Sequence, residues 1–224
     1  MTYYTSSIKL LFHPRNQLVS LRKAERLRGF WKTFFLLFFF TILTYAATAW
    51  AGLGTDPLSG EISTLSRIDF EFQKVWFLFG RIAAGLSLFL GVLILPPFIF
   101  WLLFDLPFKK IVNIQLSVWI LMLVERLTWI PFMIYLGLDW YVSPLSFGII
   151  ASYFTHLDWM IYFFGSLSLF QLFIVWFQVK SITWLSPSRR WWIIAGVILW
   201  NIILWAGTAA LVYFDETIVQ LLLS

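Results

Sequence analysis

Between Lys74 and Asp105 the chain runs for 30 residues with a single charged side chain, Arg81. A helix needs about 20 predominantly apolar residues to cross a hydrocarbon core of ~30 Å. Five runs of this kind are read at approximately 30–51, 75–103, 112–138, 157–179 and 191–214. Inside a bilayer no water satisfies backbone N–H and C=O groups, so runs this long are expected to close their hydrogen bonds as helices. Composition agrees, with 61% hydrophobic and 12% charged residues, against about 45–50% and about 25% in soluble domains. The expected fold is an all-α, polytopic membrane helix bundle with five transmembrane helices. Residues 30–224 would form one membrane domain, and residues 1–29 a basic amphipathic cytoplasmic segment.

Charge in the connections orients the bundle. Lys9, Arg15, Arg22, Lys23, Arg26, Arg28 and Lys32 precede or open the first span, Lys109 and Lys110 follow the second, and Lys180, Arg189 and Arg190 follow the fourth. The alternate side has only Arg67 and Lys74 among several acids. Twelve basic residues against two, alternating over five spans, fit the positive-inside rule and predict a cytoplasmic N-terminus and an external C-terminus. Trp31 and Trp50 bracket the first span, and Trp76 and Trp101 the second, as indoles at membrane interfaces do. The location implied is a cell membrane, the bacterial cytoplasmic membrane, with no cleavable signal peptide read at the start.

Within the N-terminal segment, Pro14 suits a first helical turn. Beyond it Leu18, Leu21 and Leu27 lean to one side, with Arg15, Arg22, Lys23, Arg26 and Arg28 elsewhere. This predicts a basic helix on a surface of anionic lipid headgroups, the alternative being a topogenic charge cluster. Nucleic acid is not an expected partner, because no reading module accompanies the charge. Pro96 and Pro97 predict a bend in the second span, with Phe98–Phe104 following the inner interface. The loop after the first span is long enough for a short interfacial helix, and lacks the spacing of a calcium loop.

The polar inventory excludes most chemistry. Cys is absent, which removes disulfides, thiolate metal sites and thiol catalysis. His13 and His156 fall on opposite predicted sides, and no metalloprotease, nucleophile-elbow or phosphate-loop motif occurs. The chain is therefore read as non-enzymatic, with no catalytic residue, metal or cofactor.

What stands out is LMLVERLTWIPFM, residues 121–133, with Glu125 and Arg126 adjacent inside the third span. Each charge costs roughly 2.5–3.5 kcal/mol at the centre of an inserted helix. Neighbouring helix positions point too far apart to pair well, so each is expected to find partners elsewhere. Arg126 is expected to stack on Trp129 and to reach Gln171 or Asn201, and Glu125 to meet Thr128 or Arg81. Packing of helices is the simplest role for this cluster, contact with a second membrane protein the functional alternative, and a proton or ion relay a third.

Three stretches carry a family resemblance: LLFHPRNQLVSLRKAERLRGFWKTFFLLFFF, FDLPFKKIVNIQLSVWILMLVERLTWIPFMIYL and LDWMIYFFGSLSLFQLFIVWFQVKSITWLS. Together they resemble bacterial members of the Yip family (Ypt-interacting-protein-like), with a basic amphipathic opening, a Phe-Lys inner loop, a proline in the outer half of the third span and an Asp-aromatic start to the fourth. The Asp-Leu-Tyr-Gly-Pro motif of the eukaryotic branch is missing, so a link to vesicle traffic is not carried over. The resemblance implies an accessory membrane protein working with the permease and ATPase subunits of an ABC-type exporter, in resistance to a toxic peptide. The competing expectation is a small transporter or channel, acting alone or as a homo-oligomer, with Glu125, Arg126, Arg81, Gln171 and Asn201 along a polar path.

Overall fold

The computed structural model describes residues 2–4, 7–12, 14–24, 26–53 and 66–223, of which the side chains of residues 2–4, 7, 15, 26–28, 67 and 215–223 are left aside. Almost every described residue is helical. In chain order the elements are β1 (Thr2–Tyr4), α1 (Ser7–Phe12), α2 (Pro14–Lys23), β2 (Arg26–Arg28), α3 (Phe30–Trp50), α4 (Arg67–Phe104), α5 (Phe108–Leu136), a 3-10 turn (Trp140–Val142), α6 (Gly148–Phe154), α7 (Asp158–Ser166), α8 (Leu169–Leu185) and α9 (Arg190–Leu223). The two short strands pair in parallel, Thr2 opposite Arg26, and close the N-terminal segment on itself.

Among the described residues, four helices are long and apolar enough to cross a membrane: Phe30–Trp50, Ile68–Phe104, Phe108–Leu136 and Arg190–Phe214. Their outward faces carry Phe39, Phe79, Leu95 and Ile203, all exposed, as suits a surface solvated by lipid. The segment expected as one span over 157–179 is instead two helices, α7 and α8, separated at Leu167 and Ser168.

Local sequence explains the helix ends. Ser66 caps α4 by accepting from the Asp69 amide at 3.3 Å while its hydroxyl donates to Asp69 Oδ2 at 2.6 Å, a variant of the capping box. Helix α4 continues through Pro96 and Pro97 to Phe104, so the expected bend does not end it, and it stops where Asp105 turns left-handed at φ 53°. Gly137 closes α5 in the same region at φ 62°, a conformation glycine adopts without steric cost.

Side-chain pairs fix the helix directions. Trp119 Nε1 donates to Thr41 Oγ1 at 2.8 Å and Arg126 lies over Tyr45, so α3 and α5 run parallel. Gln171 reaches Glu125 and Gln178 reaches Gln115, so α8 runs antiparallel to α5. Asn201 meets Gln178, and α9 turns back along α8 and then α7. At the end shared by Phe104, Phe108 and Leu185, buried Phe100, Ile114, Phe177 and Ile193 form one core with Leu10, Leu18 and Leu21. A second core joins α3, α4 and α5 through Leu37, Phe89, Leu116 and Trp119.

The N-terminal segment, expected as a basic amphipathic helix, packs its leucines onto the bundle. Leu18 and Leu21 are completely buried against the bundle, so protein rather than lipid covers the apolar face of α2. Lys110 Nζ ties the segment down by donating to Arg22 O at 2.8 Å. Arg22 and Lys23 remain exposed. The side chains of Arg15, Arg26 and Arg28, and the loop expected to hold an interfacial helix over 54–65, lie outside the described residues.

Candidate functional site

At the break between α7 and α8, polar groups of α5, of α8 and of the segment that precedes α6 meet. Ending one helix and starting another inside the bundle leaves backbone groups that need partners. A connecting segment supplies the partners: Phe147 N donates to Leu167 O at 3.0 Å and Leu169 N to Leu145 O at 2.9 Å, an isolated antiparallel bridge centred on Ser146 and Ser168. Glycine permits this approach. A Cβ at Gly165 would lie 2.7 Å from Tyr141 Cβ, and one at Gly148 would lie 2.0 Å from Tyr141 O.

Ser168 then does two things. Its Oγ accepts from Gln171 N at 3.1 Å, capping α8, and its hydroxyl donates to Glu125 Oε1 on α5. Gln171, the third residue after the cap, turns its side chain to the same carboxylate, Nε2 to Oε2 at 2.9 Å. Both oxygens of Glu125 are therefore held from the first turn of α8, where the positive end of the helix dipole faces them. Among the described residues no cation lies in ion-pair range of this carboxylate. The expected contacts with Arg81 and Thr128 resolve otherwise: Arg81 donates to Leu53 O at 2.5 Å, and Thr128 Oγ1 donates to the backbone oxygen of Glu125 at 2.6 Å.

Arg126 faces away from this cluster. Its guanidinium lies 4.5 Å from the Trp129 ring, the stacking expected from the sequence, and 5.2 Å from the Tyr45 ring on α3. Two cation–π contacts of ~0.5–2 kcal/mol each offset much of a transfer cost of ~2.5–3.5 kcal/mol. Gln171 and Asn201 do not reach it. Its Nε is buried with no hydrogen-bond partner among the described residues.

Asn201 belongs to a second seam nearer the basic end. Its Nδ2 donates to Gln178 Oε1 at 3.0 Å, and Gln178 Nε2 donates to Gln115 Oε1 at 3.3 Å. All three amides are buried and they link α9, α8 and α5, each contact being of the kind worth ~0.6–2 kcal/mol within a membrane. The sequence-predicted set is thereby divided three ways: Glu125 with Gln171, Arg126 with Trp129, and Asn201 apart from both.

Ser168, Tyr45, Gln115 and Gln178 were not expected in this role. One signal for Ser168 was present. The stretch Ser168-Leu-Phe-Gln171 has the Ser-x-x-Gln pattern of a helix start, inside a run whose hydropathy reads as one uninterrupted span.

No protein-family model, curated protein or solved structure matches this chain.

Proposed function

We propose that this chain is a non-enzymatic accessory protein of a larger membrane complex, whose polar side chains set the shape of the bundle that a partner recognises. The observation that carries the reading is the engagement of both Glu125 oxygens by Ser168 and Gln171 across the helix break. A carboxylate held by two donors on a neighbouring helix serves register and shape more directly than it serves a relay, which needs a succession of titratable groups. On this reading α7 and α8 together make a fifth, interrupted crossing, the N-terminus is cytoplasmic and the C-terminus external, in the bacterial cytoplasmic membrane. Arg22 and Lys23, exposed beside Lys109 and Lys110, would face anionic headgroups.

The partner proposed is an ABC-type exporter, its permease and ATPase subunits, as the resemblance to the bacterial Yip family implies, with resistance to a toxic peptide as the physiological setting. The test is affinity purification of the tagged chain from its own membranes in mild detergent, followed by mass spectrometry. Stoichiometric recovery of a permease and its ATPase, lost in Glu125→Leu, is the expected result. A homo-oligomer free of other proteins overturns it.

One observation favours the transporter reading instead: helices broken within the membrane often build substrate sites. That reading requires flux in vesicles carrying the purified chain, and loss of the flux in Glu125→Gln.

A further inference from the structure

Helix α7 uses its two faces differently. Tyr162 and Gly165 are turned to the 3-10 turn: the Tyr162 ring lies 5.4 Å from that of Tyr141, and a Cβ at Gly165 would meet Tyr141 Cβ at 2.7 Å. Met160, Phe163 and Phe164 face α9 instead, where they meet Ala206, Ala210 and Phe214 around a cavity of about 470 Å³. Alanine on α9 leaves this space. Ala206 and Ala210 are four residues apart, on one face of the helix, and a methyl group fills little of the distance to the aromatic side chains opposite.

Two features say what fills the cavity. The first is its level. Helix α9 is long and apolar enough to cross a membrane from Arg190 to Phe214, and the cavity follows it from Ala206 to Phe214, about 12 Å along a helix. Trp159 and Tyr213 also line it, residue types that favour the membrane interface. The medium around such a space is hydrocarbon, and its walls are almost wholly carbon. Its volume falls within the range of about 300–1,000 Å³ usual for ligand sites.

The second feature is charge. Residues 127–179 and 191–224 include no Lys or Arg, while Asp139, Asp158, Asp215 and Glu216 fall in these stretches, with His156 as their one imidazole. Asp158 is exposed in the first turn of α7, next to Trp159 of the cavity wall, and Asp215 follows Phe214 in the chain. A rim of this sign attracts an amine and repels an anionic headgroup.

We propose that this cavity holds one acyl chain of a phospholipid whose headgroup carries an amine, phosphatidylethanolamine being the simplest, with the amine beside Asp158. The chain completes the packing of α7 on α9, so that the lipid belongs to the bundle rather than to the solvent around it. No protein partner is needed for this.

The full chain is placed in nanodiscs of equal phosphatidylethanolamine and phosphatidylglycerol and extracted in mild detergent, and its retained lipids are counted by native mass spectrometry. Lipid held by the cations of the basic end is common to all variants and cancels between them. Wild type is expected to retain phosphatidylethanolamine in excess. Ala210→Phe puts a ring into the cavity and should lower that retention about tenfold, since overpacking opposes the bound chain. Leu211→Phe enlarges an exposed residue one position along, outside the cavity, and should retain the lipid as wild type does. Asp158→Asn should lower the excess over phosphatidylglycerol about threefold, as loss of one exposed ion pair implies. Should Ala210→Phe not fold, Ala206→Leu replaces it, a smaller insertion into the same wall with a smaller loss. Equal retention by wild type and the filled variant, an Ala210-dependent lipid that is phosphatidylglycerol, or an excess unchanged in Asp158→Asn overturns the proposal.

Discussion

Glu125 keeps its place in the bundle because two donors meet it from the first turn of α8. Hydrogen bonds to charged groups contribute about 1.5–3 kcal/mol each, and a buried donor stripped of its acceptor costs about 1–3 kcal/mol. Glu125→Leu is therefore expected to destabilise the chain by about 3–5 kcal/mol, because Ser168 and Gln171 are both orphaned. Glu125→Gln, which preserves an acceptor for Ser168, should cost about 1–2 kcal/mol. Thermal unfolding in detergent checks both values. The double variant Glu125→Leu/Gln171→Leu should recover part of the loss, and strict additivity would mean that the two residues do not interact. Trp119 gives a second case. Its indole N–H has Thr41 Oγ1 as acceptor at 2.8 Å in a fully buried position, so Thr41→Val, nearly the same in shape, should cost about 1–3 kcal/mol, while Thr41→Ser should cost less. Sequence alone singled out Glu125 and Arg126 because charge in an apolar run is conspicuous. It did not single out Ser168 or Tyr45, since a serine or a tyrosine in such a run is ordinary until its partner is known.

Among the elements, α2 follows its amphipathic pattern, with Leu18 and Leu21 buried and Arg22 and Lys23 exposed. The leucine stripe was legible, but a stripe reports that a face is covered and not what covers it. Here Leu18 and Leu21 belong to one buried core with Phe100, Phe104, Ile114 and Ile182. Leu18→Ala should cost about 2–5 kcal/mol, the usual range for a truncated core leucine, and should release α1 and α2 to proteolysis after Arg22 and Lys23. Because the attachment is apolar, raising the salt concentration should leave wild type resistant to trypsin; cleavage that grows with salt would show that headgroup attraction holds the segment. Helices α7 and α8 were hidden for the opposite reason. No proline marks their junction, Gly165 lies before it in an otherwise apolar run, and the leucines around Ser168 keep the hydropathy high through the break.

At the level of the whole molecule, the basic residues collect where α4 meets α5 and where α8 meets α9, and the alternation of helix directions brings those connections together. With α7 and α8 counted as one crossing, a cytoplasmic reporter fused after Ser224 should be inactive and a periplasmic reporter active. The reverse pattern would remove either the fifth crossing or the proposed orientation. The long apolar runs made the membrane class legible from the outset, because no soluble packing could cover them. The order of contacts inside the bundle was not legible, since leucine and phenylalanine pack against lipid and protein alike.

The paired break has a consequence for biosynthesis. A continuous helix can enter the membrane carrying its own hydrogen bonds, and can wait there for its neighbours. The stretch around Leu167 and Ser168 cannot, because its amides and carbonyls depend on residues 145–147 and its serine faces Glu125 on an earlier helix. The ribosome has delivered both partners before Ser168 emerges. Chain order thus supplies the hydrogen bonds in the sequence in which insertion needs them, and α9, made later, closes over a junction that is already complete.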